Sequence, residues 1–134
     1  MRSKVQCMQK NNNVINWFEI PVTDMAKAKA LYEAMLDTKL EVSDFGGVPH
    51  AVISNKDHTC VSGALVADPK RRPSRGTGTV LYLAATDGVR RCLSRAVEAG
   101  AKVLQPETSI APHGTIALIG DLDGNVVGLH ADAG

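Results

Sequence analysis

The sequence predicts an α+β protein made of two tandem copies of one strand-helix-strand-strand-strand unit. Three observations carry this. A strand-like segment runs into a helix start twice, at W-F-E-I-P-V-T-D (residues 17–24) and at V-L-Y-L-A-A-T-D (residues 80–87). Thr23-Asp24 thus recurs as Thr86-Asp87, an offset of 63 residues, and the register continues as D-T-K-L (37–40) against G-A-K-V (100–103) and V-P-H-A-V-I (48–53) against A-P-H-G-T-I (111–116). Each segment also changes from alternating to helical periodicity at the same point of the repeat. One such unit leaves a sheet face bare, so two are expected to curl into a cup-shaped mixed sheet with the helices outside.

Each element follows from local chemistry. Residues 1–13 are polar, end in three asparagines and are expected to form an arm. The first unit covers 14–66. Its first strand, 14–22, turns Phe18, Ile20 and Val22 to one face and Trp17, Glu19 and Pro21 to the other. Thr23 and Asp24 stand where a helix N-cap belongs, and Met25, Ala28, Leu31, Tyr32 and Met35 form an apolar stripe along a helix over 24–36. Short strands are expected at 39–43, 49–54 and 60–66, separated by Gly46-Gly47 and by a turn through Asn55, Lys56, Asp57 and His58. Residues 67–78 carry two prolines, two glycines and four basic residues, and read as a solvated linker. The second unit, 79–130, repeats the order: a strand over 79–85, a helix over 87–99 with Val89, Cys92, Leu93, Ala96 and Val97 inward, Gly100 past its end, then strands at 102–105, 114–119 and 126–130. Asp121 to Asn125, D-L-D-G-N, lacks the spacing and late Glu of a calcium loop and reads as a hairpin turn.

Composition sets limits. At 134 residues the chain is one domain that buries roughly two-thirds of its unfolded surface and needs no disulfide or structural metal to fold. A net charge of +1 offers no basic excess for nucleic acid. No apolar run reaches the roughly 20 residues of a membrane span, and the N-terminus has no apolar core of a signal peptide. Cys7, Cys60 and Cys92 are odd in number and form no C-x-x-C, which points to a reducing cytoplasm.

Taken together, F-E-I-P-V-T-D with A-K-A-x-x-L-Y, then V-E-A-G-A-K-V, and finally D-L-D-G-N-V-V-G-L-H resemble the vicinal oxygen chelate superfamily. It holds glyoxalases, extradiol dioxygenases, and the bleomycin- and fosfomycin-resistance proteins. The wording is most similar to the bacterial branch described as related to lactoylglutathione lyase. The resemblance implies a divalent metal held by the first strand of each copy and by a last strand. At the positions that match, this chain has Trp17, Val80 and Gly128, none of which ligates. The resemblance therefore implies the fold without the metal, and no cofactor is expected.

Strand parity yields the same lining independently: Trp17 and Glu19 on the first strand, Val80 and Tyr82 on its twin, and Val126, Gly128 and His130 on the last strand. An apolar cup with few polar groups suits a small organic ligand. A cup filled by its own side chains, serving a dimeric interaction module, is a second reading. A lyase, isomerase or dioxygenase with displaced ligands, or with Glu19 as base, is a third. Glu19 is expected to face the cavity beside Tyr82 and to hydrogen-bond an organic ligand; in a structural role it would pair with His130 or a backbone amide. His50 and His113 take equivalent places beside Pro49 and Pro112, which duplication explains as well as function does. A homodimer is expected, as the resemblance implies.

Overall fold

The computed structural model describes residues 15–54 and 60–133. The polar arm, the start of the first strand at Val14 and the turn at Asn55, Lys56, Asp57 and His58 lie outside the described residues. The first unit runs β1 (Trp17–Pro21), α1 (Met25–Leu36), β2 (Glu41–Phe45), β3 (Val48–Ile53) and β4 (Ser62–Val66). The second runs β5 (Leu81–Ala84), α2 (Val89–Glu98), β6 (Lys102–Ser109), β7 (Thr115–Gly120) and β8 (Val126–Ala131). The class and the tandem order are as the repeat predicts.

Each unit makes a four-stranded sheet of the same order, β1-β4-β3-β2 and β5-β8-β7-β6, with one parallel pair at the β1 or β5 edge. The sheets do not close into a cup within the chain: among the described residues no strand of one lies alongside a strand of the other. They are joined through their helices. Ile20 of β1, Val22 just beyond it, Leu83 from β5, and Val127 and Leu129 from β8 share one core with Leu31, Tyr32 and Met35 of α1 and Val89, Cys92 and Ala96 of α2. The face of each sheet away from that core is left open.

Asp24 caps α1 by accepting a hydrogen bond from the Lys27 amide at 3.1 Å. The repeat fails at the matching place. Gly88 precedes α2 with no side-chain cap, because Asp87 is held by Arg95 instead. On α2 the expected inward Val97 points out and is 47% exposed. Arg95 bridges the units, donating to the Ala34 carbonyl at 2.8 Å and the Met35 carbonyl at 3.0 Å near the end of α1.

The offset of 63 holds through the first strands and then drifts. The Val22 amide bonds the Val66 carbonyl, and the Ala85 amide bonds the His130 carbonyl, so Trp17 corresponds to Val80. In the third strand the ladder pairs His50 with Val66 and Ile116 with His130. Ile116, and not His113, is therefore the counterpart of His50. The cause is β6, which has eight residues and two register irregularities where β2 has five residues and none.

The D-L-D-G-N segment is more than a hairpin turn. The buried Asp121 carboxylate accepts the Asp123 and Asn125 amides on Oδ1, and the Tyr32 hydroxyl at 2.7 Å and the Asn125 side-chain amide at 2.9 Å on Oδ2. Asn125 also donates to the Pro21 carbonyl, and Asp123 accepts from the Thr23 hydroxyl at 2.5 Å. This loop ties the second unit to the start of the first helix.

Among the described residues no helix is long and apolar enough to cross a membrane. Cys60 is disulfide-bonded while Cys92 is free and buried, so the cysteines do not argue for a reducing compartment.

Candidate functional site: two open sheet faces

The open face of the first sheet carries a polar cluster centred on Glu19. Alternation on β1 sends Phe18 and Ile20 toward the core and leaves Glu19 on the other side. Its Oε2 accepts the Trp17 indole N–H at 3.1 Å, and its Oε1 takes the Arg71 guanidinium at 2.7 Å. Arg71 comes from the linker and also approaches Asp68 at 3.7 Å. His50, two strands away on β3, places Nε2 3.7 Å from Glu19 Oε2, while its Nδ1 lies 2.8 Å from the Val48 carbonyl. The Phe45 ring meets the His50 imidazole edge-on, with centroids 4.9 Å apart.

Electrostatics follow from those contacts. Burial pushes the Glu19 carboxyl up, but the hydrogen bonds from Trp17 and Arg71 and the charge of Arg71 outweigh it and hold it below the usual carboxylate value, with His50 adding to them only when its ring is protonated. A general base needs the opposite shift. Trp17, 45% exposed, and Phe45, 54% exposed, stand beside the cluster as uncovered aromatic surfaces.

The open face of the second sheet is apolar. Val80 and Tyr82 are exposed there, Val126 is half-buried, and Leu118 pairs with Gly128. Gly128 lies beneath the Tyr82 ring, and a Cβ at that position would collide with it. The half-buried His130 engages the His113 carbonyl through Nε2 at 2.7 Å. Hence the expected lining divides between two sheets: Trp17 and Glu19 belong to the first, and Val80, Tyr82, Val126, Gly128 and His130 to the second. Glu19 does not pair with His130, and it occupies the place equivalent to Tyr82 in the other sheet instead of one beside it.

The ladders also add a fourth position, the counterpart of Gly128 in the first sheet. Gly128 faces Tyr82 and Ala64 faces Glu19, so Ala64 is the counterpart of Gly128. Trp17, Ala64, Val80 and Gly128 offer no ligating side-chain atom, and among the described residues no three His, Cys, Asp or Glu side chains converge as a metal requires. The residues present do not fit a divalent metal.

Sequence reasoning passed over three members of the polar cluster. Arg71 sits in a basic linker that looks solvated. His50 was explained by a symmetry that the ladder removes. Phe45 ends a short strand beside two glycines. The one available signal was Glu19 itself, an acid in an apolar strand that needs a partner.

The family model of the Glyoxalase/Bleomycin resistance protein/Dioxygenase superfamily matches residues 14–129, and the chain belongs to that superfamily. Among solved structures it is similar to a glyoxalase/bleomycin resistance protein from Streptomyces sp. CB03234, at 32% identity and a TM-score of 0.60 over 85% of this chain and 96% of that one. It is also similar to TnmS3, described as an antibiotic binding protein from the same organism, at 30% identity and a TM-score of 0.61 over 90% of this chain and 97% of that one. A glyoxalase I mutant from Zea mays shares the fold, at 21% identity and a TM-score of 0.67 over 86% of this chain and 45% of that one. A search of the curated proteins returned no significant match.

Proposed function

We propose that this protein binds a small organic molecule of the antibiotic type on its open sheet faces, without a metal, and works as a homodimer. The observation that carries the reading is the Glu19 cluster: an ionised carboxylate held by Trp17 and Arg71 and flanked by uncovered aromatic rings. A few fixed polar groups beside aromatic surface suit a planar organic ligand. The similarity to an antibiotic binding protein supports the same class. Trp17, Glu19, Val80, Tyr82, Val126, Gly128 and His130 would all touch the ligand if a second copy set its apolar face against the polar face of the first.

Trp17 is the sole tryptophan, so its emission reports the site directly. Titration with bleomycin, then with a panel of aromatic antibiotics, in buffer containing a chelator should quench it saturably for at least one compound. Glu19→Gln should weaken that binding about tenfold, as expected for a hydrogen bond to a charged group. Unchanged emission across the panel, or binding that appears only after a divalent metal is added, would overturn the proposal. A metal-free enzyme with Glu19 as base is the second reading of this site, and the lowered pKa of Glu19 weighs against it.

A further inference from the structure

We infer that Glu19 Oε2 and His50 Nε2 form a paired-acceptor notch that takes a neutral NH2 group, a primary amide or an aryl amine, from the bound molecule. This rests on the small-molecule reading above and names the group that the site selects.

The argument starts at the imidazole. The Val48 carbonyl can only accept, so Nδ1, 2.8 Å away, carries the proton of their hydrogen bond. In the neutral ring that leaves Nε2 with a lone pair. This lone pair faces Glu19 Oε2 at 3.7 Å, too far for a hydrogen bond and with no proton between two acceptors. A nitrogen bearing two hydrogens, at about 2.9 Å from each atom, satisfies both. A group with one hydrogen satisfies one.

The surroundings set the charge and shape. Arg71 occupies Oε1 and neutralises the carboxylate, so a cationic ammonium would meet an adjacent guanidinium while a neutral NH2 would not. Trp17 donates to Oε2 from one side and Phe45 packs on His50 from the other, so the notch lies between two aromatic side chains. His50 is buried and its ring is fixed at Nδ1 and by Phe45, so the acceptor is held in place before anything binds.

The test uses the whole protein at pH 8, above the ordinary imidazole range. Long-range nitrogen NMR of the histidine rings should show the His50 proton on Nδ1 and none on Nε2. Three matched probes, benzamide, methyl benzoate and benzylamine, are then titrated while Trp17 emission and the His50 ring signals are followed. Benzamide should bind about tenfold more tightly than methyl benzoate, the difference expected from hydrogen bonds to a charged group, and more tightly than benzylamine. Glu19→Gln and His50→Phe should each reduce that preference to threefold or less. Equal affinity for amide and ester overturns the inference, as does a proton found on His50 Nε2. Tightest binding by benzylamine overturns the neutral-group assignment. Antibiotic binding that survives while amide selectivity is absent sinks the notch alone. A correct tautomer with amide selectivity but no antibiotic binding sinks the wider reading alone.

Discussion

At Tyr32 the hydroxyl is buried and donates to Asp121, and the consequence is a pH-dependent stability. Burial, then the charge and hydrogen bond of Asp121, then the charge of Asp123, raise its pKa well above the usual phenol value. A folded-state pKa above the unfolded one means that the stabilisation is fully present below about pH 10 and is lost as pH rises beyond it. Urea melts from pH 8 to 11 should show that loss, and Tyr32→Phe should remove this part of it. At neutral pH the same variant should cost about 1–3 kcal/mol, because Asp121 Oδ2 stays buried with one partner fewer. A variant as stable as the parent would mean that the hydroxyl contributes nothing there.

Helices α1 and α2 are held together by Arg95, which satisfies carbonyls at the end of α1 while paired with Asp87 at 2.8 Å. Arg95→Ala strands those carbonyls and should cost about 1–2 kcal/mol in chemical denaturation, the lower part of the range for charged hydrogen bonds because the ion pair is partly solvated. The hydrogen bonds from Arg95 outweigh a small burial effect and lower Asp87 to about 2. Its stabilisation is therefore present above the usual aspartate value and is lost as pH falls toward about 2, a loss that Asp87→Asn should lack. Elements of this kind also mark what was readable beforehand. The helices and strands were legible because periodicity and the Asp24 cap are local signals. Asp87 copied that cap in sequence, yet a residue eight positions on claimed its carboxylate. The β6 irregularities shifted the later register, and with it the identity of His50's counterpart; Pro106 marks the second of them, but one proline does not tell how many residues the strand gains. Arg71 reaches Glu19 only because the linker folds back, which composition does not encode.

At the scale of the molecule, each sheet keeps an uncovered face and the β1 and β5 edges have free sides among the described residues. Light scattering at micromolar concentration should give twice the 14.2 kDa of one chain, and a mass near one chain would remove the dimer from the proposal. The Asp121 loop has a further consequence for the order in which the protein is made. Its bonds to Tyr32, Thr23 and Pro21 join residues 89 to 104 positions apart. During synthesis Pro21, Thr23 and Tyr32 are made well before the loop that holds them, so these bonds form only after most of the second unit has followed. The Tyr32 hydroxyl therefore meets its carboxylate only once the last hairpin of the second unit has joined the first.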